Sequence, residues 1–130
     1  MRSMAREAVF MFIFSKLFND DCEGLFEVLI SQLNAKDKEF ANNLLQVVND
    51  NQQEFLDSLS NLSQNFKLDR VINADKCAII IGMAELKYFT DTPIPVAIDE
   101  AVKLVVKYST ESSAHFVNGI LAEFVKGVDR

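Results

Sequence analysis

Apolar residues recur every three or four positions along most of the chain, the spacing of a buried stripe on an α-helix. No segment alternates convincingly with a period of two, so no strand is predicted. Ser3 can cap a first helix running to about Phe18, with Glu7 suited to its positive dipole end. The middle of that helix, "AVFMFIF", is apolar on nearly every side, which predicts a buried or central position. "NDD" breaks the pattern, and Asp21 can cap a second helix over roughly residues 22–33. After the connector "NAK", Asp37 can cap a third helix. It sets Phe40, Leu44, Leu45, Val48, Phe55, Leu56, Leu59 and Leu62 in helical register, interrupted by a polar stretch at residues 49–53. A short turn, with room for one extra short helix, is expected near residues 66–72.

Asn73 can cap a fourth helix over residues 74–89, apolar all round at 78–84, the mark of a central helix. In "TDTPIP", Pro95 suits the first position of a fifth helix, where its missing N–H would have no partner anyway; that helix extends to about Tyr108. Ser112 or Ser113 can cap a sixth, which presents Phe116, Val117, Ile120, Leu121, Phe124 and Val125. Asn118-Gly119 inside it is a turn dipeptide, yet helical spacing continues on both sides. A glycine in mid-helix costs roughly 1 kcal/mol relative to alanine. The expectation is therefore that Gly119 admits a closely packed neighbouring helix and that Asn118 hydrogen-bonds across the contact.

Length changes this picture little: 130 residues suit one domain, covering 1–130, better than two. Cys22 and Cys77 stand far apart in no metal or redox spacing, which suggests buried thiols and a cytoplasmic setting. The apolar run at residues 8–14 is shorter than the ~20 residues a membrane span needs, so no membrane association is expected. No A-x-A-like cleavage site follows it, which argues against a secretion signal. Charge is more telling. The net charge is −6. Arg2, Arg6 and Lys16 face only Glu7 in the first 18 residues, whereas residues 19–66 hold two lysines against nine acids. A general nucleic-acid binder would show a basic footprint, so any such site here has to be local.

The chemical inventory is thin. His115 is the single histidine, so serine or cysteine catalysis within the chain would have to use it. Neither phosphate-binding glycine motif occurs. One histidine and two distant cysteines do not make a zinc site, and no cofactor is implied. An enzyme is the least favoured reading.

Three strings in the last 60 residues, "ADKCAIIIGMAEL", "TPIPVAIDEAVKLVVKY" and "ESSAHFVNGIL", resemble successive motifs of the NusB transcription antitermination factor family. "AREAVFMFIF", residues 5–14, is similar to the family's first-helix motif. The resemblance implies an all-α, single-domain bundle of six to seven helices in two sub-bundles. It implies binding to boxA-type RNA of ribosomal RNA leaders, jointly with the ribosomal protein NusE, within an RNA polymerase antitermination complex. Homodimers occur in some family members, and the residues leave that open.

By the same resemblance, the RNA surface would use Arg2 and Arg6, the remnant of an arginine-rich stretch, with Tyr108, Ser112, His115 and Phe116. Tyr108 keeps the family's aromatic type, while Ser112 stands where Asp is usual and His115 where Lys is usual. Two arginines give few phosphate contacts, so weaker RNA affinity is expected. Asp69 and Asp75 match acidic positions that face NusE. Ile80 stands where Arg is usual and Ala84 where Tyr is usual, giving a fourth helix that is either more deeply buried or part of an altered interface. The alternative function is a divergent interaction module that kept the fold and lost RNA binding.

Overall fold

The computed structural model describes residues 2–63 and 71–130. Among them the regular elements are six α-helices: α1 (Arg2–Lys16), α2 (Leu25–Ile30), α3 (Ala35–Leu62), α4 (Asn73–Tyr88), α5 (Ile94–Tyr108) and α6 (Glu111–Lys126). Helices α4, α5 and α6 pack on one another as one sub-bundle, and α1 packs with α2 and α3 as the other. Helix α4 also packs against α1 and α3, so one cluster of buried apolar side chains runs through both halves. The reason lies in its sequence. From Cys77 to Leu86 every residue of α4 is buried, which accounts for its lack of a polar face. Ile80 and Ala84 belong to this core, which settles the two options for the fourth helix in favour of burial.

The helix starts differ from expectation for local reasons. Helix α2 is shorter than residues 22–33 because Gly24 precedes it in the left-handed region, at φ 80°, which a right-handed helix cannot run through. Asn34, not Asp37, caps α3: its Oδ1 accepts from the Asp37 N–H at 2.8 Å. Helix α3 bends at Asn51 (φ −126°, ψ 17°), within the polar stretch at 49–53. There the Asn51 side chain donates to the Val47 carbonyl at 2.8 Å, as polar side chains do where a helix bends. Ile72, rather than Asn73, precedes α4. Pro95 is the second helical residue, with Pro93 at the cap; either early position lacks an N–H partner in a regular helix. Thr110 takes the capping role expected of Ser112 or Ser113, and its hydroxyl accepts from the Ser113 N–H at 3.2 Å. Most of the turn expected near 66–72 lies outside the described residues, as does Asp69.

The glycine expectation is corrected. Asn118 and Gly119 are helical and exposed, and a Cβ added at Gly119 would meet nothing within 4 Å. The close approach occurs at Gly82 in α4. An added Cβ there would lie 2.6 Å from Leu121 Cδ1 and 3.2 Å from Ala101 Cβ. Gly82 is therefore what lets α5 and α6 seat on the central helix.

Candidate nucleic-acid interface

Helices α1 and α5 lie side by side, and a stripe of α1 at i, i+4 and i+7 faces α5. Ser3 donates to Glu100 at 2.7 Å. Glu7 accepts from Lys107 at 2.7 Å and also from the Tyr108 hydroxyl. The Phe10 ring stacks on Tyr108 with centroids 5.1 Å apart. Tyr108 is thus fixed on one face and 36% exposed, which leaves part of its ring open to solvent. Partial burial pushes the Glu7 carboxyl up, but the Lys107 and Tyr108 hydrogen bonds outweigh this and hold it below its ordinary value. The phenol of Tyr108 is raised, by burial first and then by its bond to Glu7.

The two arginines of α1 part company. Arg2 is partly exposed; its guanidinium lies over the Phe40 ring, 4.6 Å from the centroid, and 3.7 Å from Asp91. Arg6 is buried at 3% exposure and bonds the fully buried Glu85 through both carboxylate oxygens, one of them at 2.8 Å. Glu100 lies 3.6 Å away and the Phe40 ring 5.2 Å away. Burial pushes the Glu85 carboxyl up, and the paired Arg6 works against it. A desolvated, bidentate Arg–Glu pair of this kind ties α1 to α4 and presents no charge to solvent.

At the far end of α5 a two-residue turn, Ser109-Thr110, leads into α6. Ser112 and His115 are exposed on the first turns of α6. Phe116 is half-buried and packs against the core. His115 and Asn118 border a shallow groove of about 580 Å³ floored by Ile98 and Val102 of α5. Tyr108, Ser112 and His115 therefore share one corner of the molecule, whereas Arg2 lies near Asp91, beyond the other end of α5. Asp75 is buried at 4% exposure, its oxygens accepting from Ser109 and Ser113, each at 2.9 Å. The string "STESS" signalled a hydroxyl-rich helix start, but nothing in it named Asp75 as the acceptor. Lys107, also missed, adds a cation beside Tyr108.

Among the described residues no group of three or more His, Cys, Asp or Glu could hold a metal ion, and no helix is long and apolar enough to cross a membrane. Cys77 is buried in α4, and that burial pushes its thiol up to about 12.

Two helical sub-bundles on a shared central helix, with a polar corner where α5 turns into α6, define an all-α helical bundle. The chain belongs to the NusB family, whose model matches residues 2–126. It is 34% identical to the transcription antitermination protein NusB of Methylacidiphilum infernorum, over 99% of this chain and 93% of that protein. The structure of T. maritima NusB superposes with a TM-score of 0.92 at 31% identity, covering all of this chain and 94% of the other. A crystal structure of the antitermination factors NusB and NusE in complex with dsRNA also matches, with a TM-score of 0.82 at 26% identity over 96% of each chain.

Proposed function

We propose that this chain is a transcription antitermination factor that binds boxA-type RNA of ribosomal RNA leaders together with NusE, and so joins the RNA polymerase antitermination complex in the cytoplasm. Residues 1–130 act in this reading as one RNA-binding domain without catalysis of its own. The observation that carries it is the likeness, along nearly the whole chain, to the NusB that was crystallised with NusE and RNA. Tyr108 offers a ring for stacking on an unpaired base, a contact worth ~1–3 kcal/mol. Ser112 and His115 offer hydrogen bonds beside it, and the exposed edge of Phe116 extends the apolar contact. Arg2 supplies a phosphate contact, while Arg6 works from beneath by holding α1 in place. The family resemblance assigns Asp69 and Asp75 to the NusE contact, and of these Asp75 is buried.

The test is a titration of boxA-type RNA from the same genome, with the chain alone and with NusE, at stepped salt concentrations. Binding is expected to be weak alone and to strengthen with NusE. Arg2→Glu should weaken it and lower the salt slope by about one, the loss of a single phosphate contact. A titration at low salt, with both proteins folded and no gain on adding NusE, sinks the proposal.

The burial of Arg6 favours one competing reading, an interaction module without RNA binding, since it withdraws half of the N-terminal arginine pair. That reading expects NusE binding to persist with no measurable RNA association at any salt.

A further inference from the structure

We infer that Asp75 is a positioning residue: with Ser109 and Ser113 it clamps the α5–α6 turn onto α4 and so fixes Tyr108, Ser112 and His115 relative to one another. This rests on the RNA-binding reading given above.

The carboxylate of Asp75 only accepts hydrogen bonds, so both serine hydroxyls must turn their protons inward. Ser109 donates to Oδ1 and Ser113 to Oδ2, each at 2.9 Å. With both protons committed, the 3.0 Å approach of the two serine oxygens carries none, and the Thr110 hydroxyl can donate to Ser113 Oγ at 2.9 Å. Thr110 Oγ1 in turn accepts from the Ser113 N–H. A directional chain thus runs from the α6 cap through Ser113 to Asp75.

The three donors and acceptors come from distinct places: the first turn of α4, the cap of α5 and the first turn of α6. Helix α4 is the most deeply buried element, so the clamp ties a two-residue surface turn to the part of the molecule least able to move. Tyr108 immediately precedes Ser109, and Ser112 immediately precedes Ser113. Holding both serines on one carboxylate therefore holds the two flanking candidate contacts at one spacing, and preorganisation of this kind raises affinity without adding a contact. An acid whose oxygens are spent in this way is a poor direct partner for a basic protein, which separates this role from the NusE-facing one that the family resemblance suggests for Asp75.

The experiment compares wild type with Asp75→Asn, and with Ser109→Ala as a milder variant in case the first unfolds. RNA affinity is measured with saturating NusE, NusE affinity without RNA, and backbone amide resonances across residues 108–116. Each variant should lose about five- to twentyfold in RNA affinity. NusE affinity should stay within about twofold, and resonance shifts should centre on the turn. Unchanged RNA affinity in folded variants overturns the clamp while leaving the functional proposal intact. Loss of NusE affinity in Asp75→Asn alone also overturns it, and makes Asp75 a partner contact. A wild-type chain that binds no RNA with NusE present overturns both.

Discussion

An added methyl group at Gly119 meets open space, so Gly119→Ala removes glycine's backbone freedom with no steric cost. It should raise stability by about 0.5–1 kcal/mol, read as a higher Tm. At Gly82 the same methyl group would press on Leu121, which is fully buried, and on Ala101 beyond it. Overpacking there outweighs the gain in helix propensity, and Gly82→Ala should lose about 1–2 kcal/mol net by urea denaturation. The sequence set both Gly82 and Gly119 inside helical patterns but did not show which one had a neighbour, because Leu121, which crowds Gly82, is about 40 residues away in the chain. The Tyr108–Glu7 contact makes a third prediction at this scale. Burial first and the bond to Glu7 second favour the neutral phenol in the fold, so the stability that Tyr108 contributes is complete below pH 10 and is lost as pH climbs through the folded value. The lowered Glu7 carboxyl sets the acid limit: its share is complete above about pH 4.5 and is lost as pH falls through the folded value. Glu7→Gln should move the Tyr108 midpoint back toward 10 in a phenolate absorbance titration; an unmoved midpoint would show that burial alone sets it.

At the scale of the helices, the spacing of apolar residues was enough to place all six, and the last residue of α5 fell at Tyr108 as expected. What it could not place were the caps. Asn34 and Asp37, or Thr110, Ser112 and Ser113, are chemically equivalent candidates, and the choice depends on which residue leaves helical geometry first. The kink at Asn51 was visible only as a polar interval, since a side chain that bonds its own helix leaves no mark on periodicity. The candidate interface was legible in the same uneven way. Tyr108, Ser112 and His115 fall at one corner because they flank a single short connection. Arg6 read as an exposed cation beside the chain start because Glu85, 79 residues further on, could not be paired with it from one sequence.

For the whole molecule, that pair matters as a joint between the two sub-bundles. It sits where α1, α4 and α5 meet, with the Phe40 ring of α3 against the guanidinium. Removing one partner strands a buried charge, so Glu85→Ala should cost about 3–5 kcal/mol by urea denaturation. Replacing both, as Arg6→Met with Glu85→Leu, should recover much of that loss, since an apolar pair of similar volume needs no desolvation. A double variant no more stable than Glu85→Ala would mean that Glu100 and Phe40 depend on the Arg6 charge.

The short connection between α4 and α5 receives both ends of the described chain. Arg2 lies against Asp91, and Arg130 donates to the carbonyls of Leu86, Phe89, Thr90 and Thr92. The two ends of the described chain therefore meet at one place, the turn between α4 and α5. Because both ends already lie at that turn, a brief splice between residues 2 and 130 would close the backbone at a small entropic penalty.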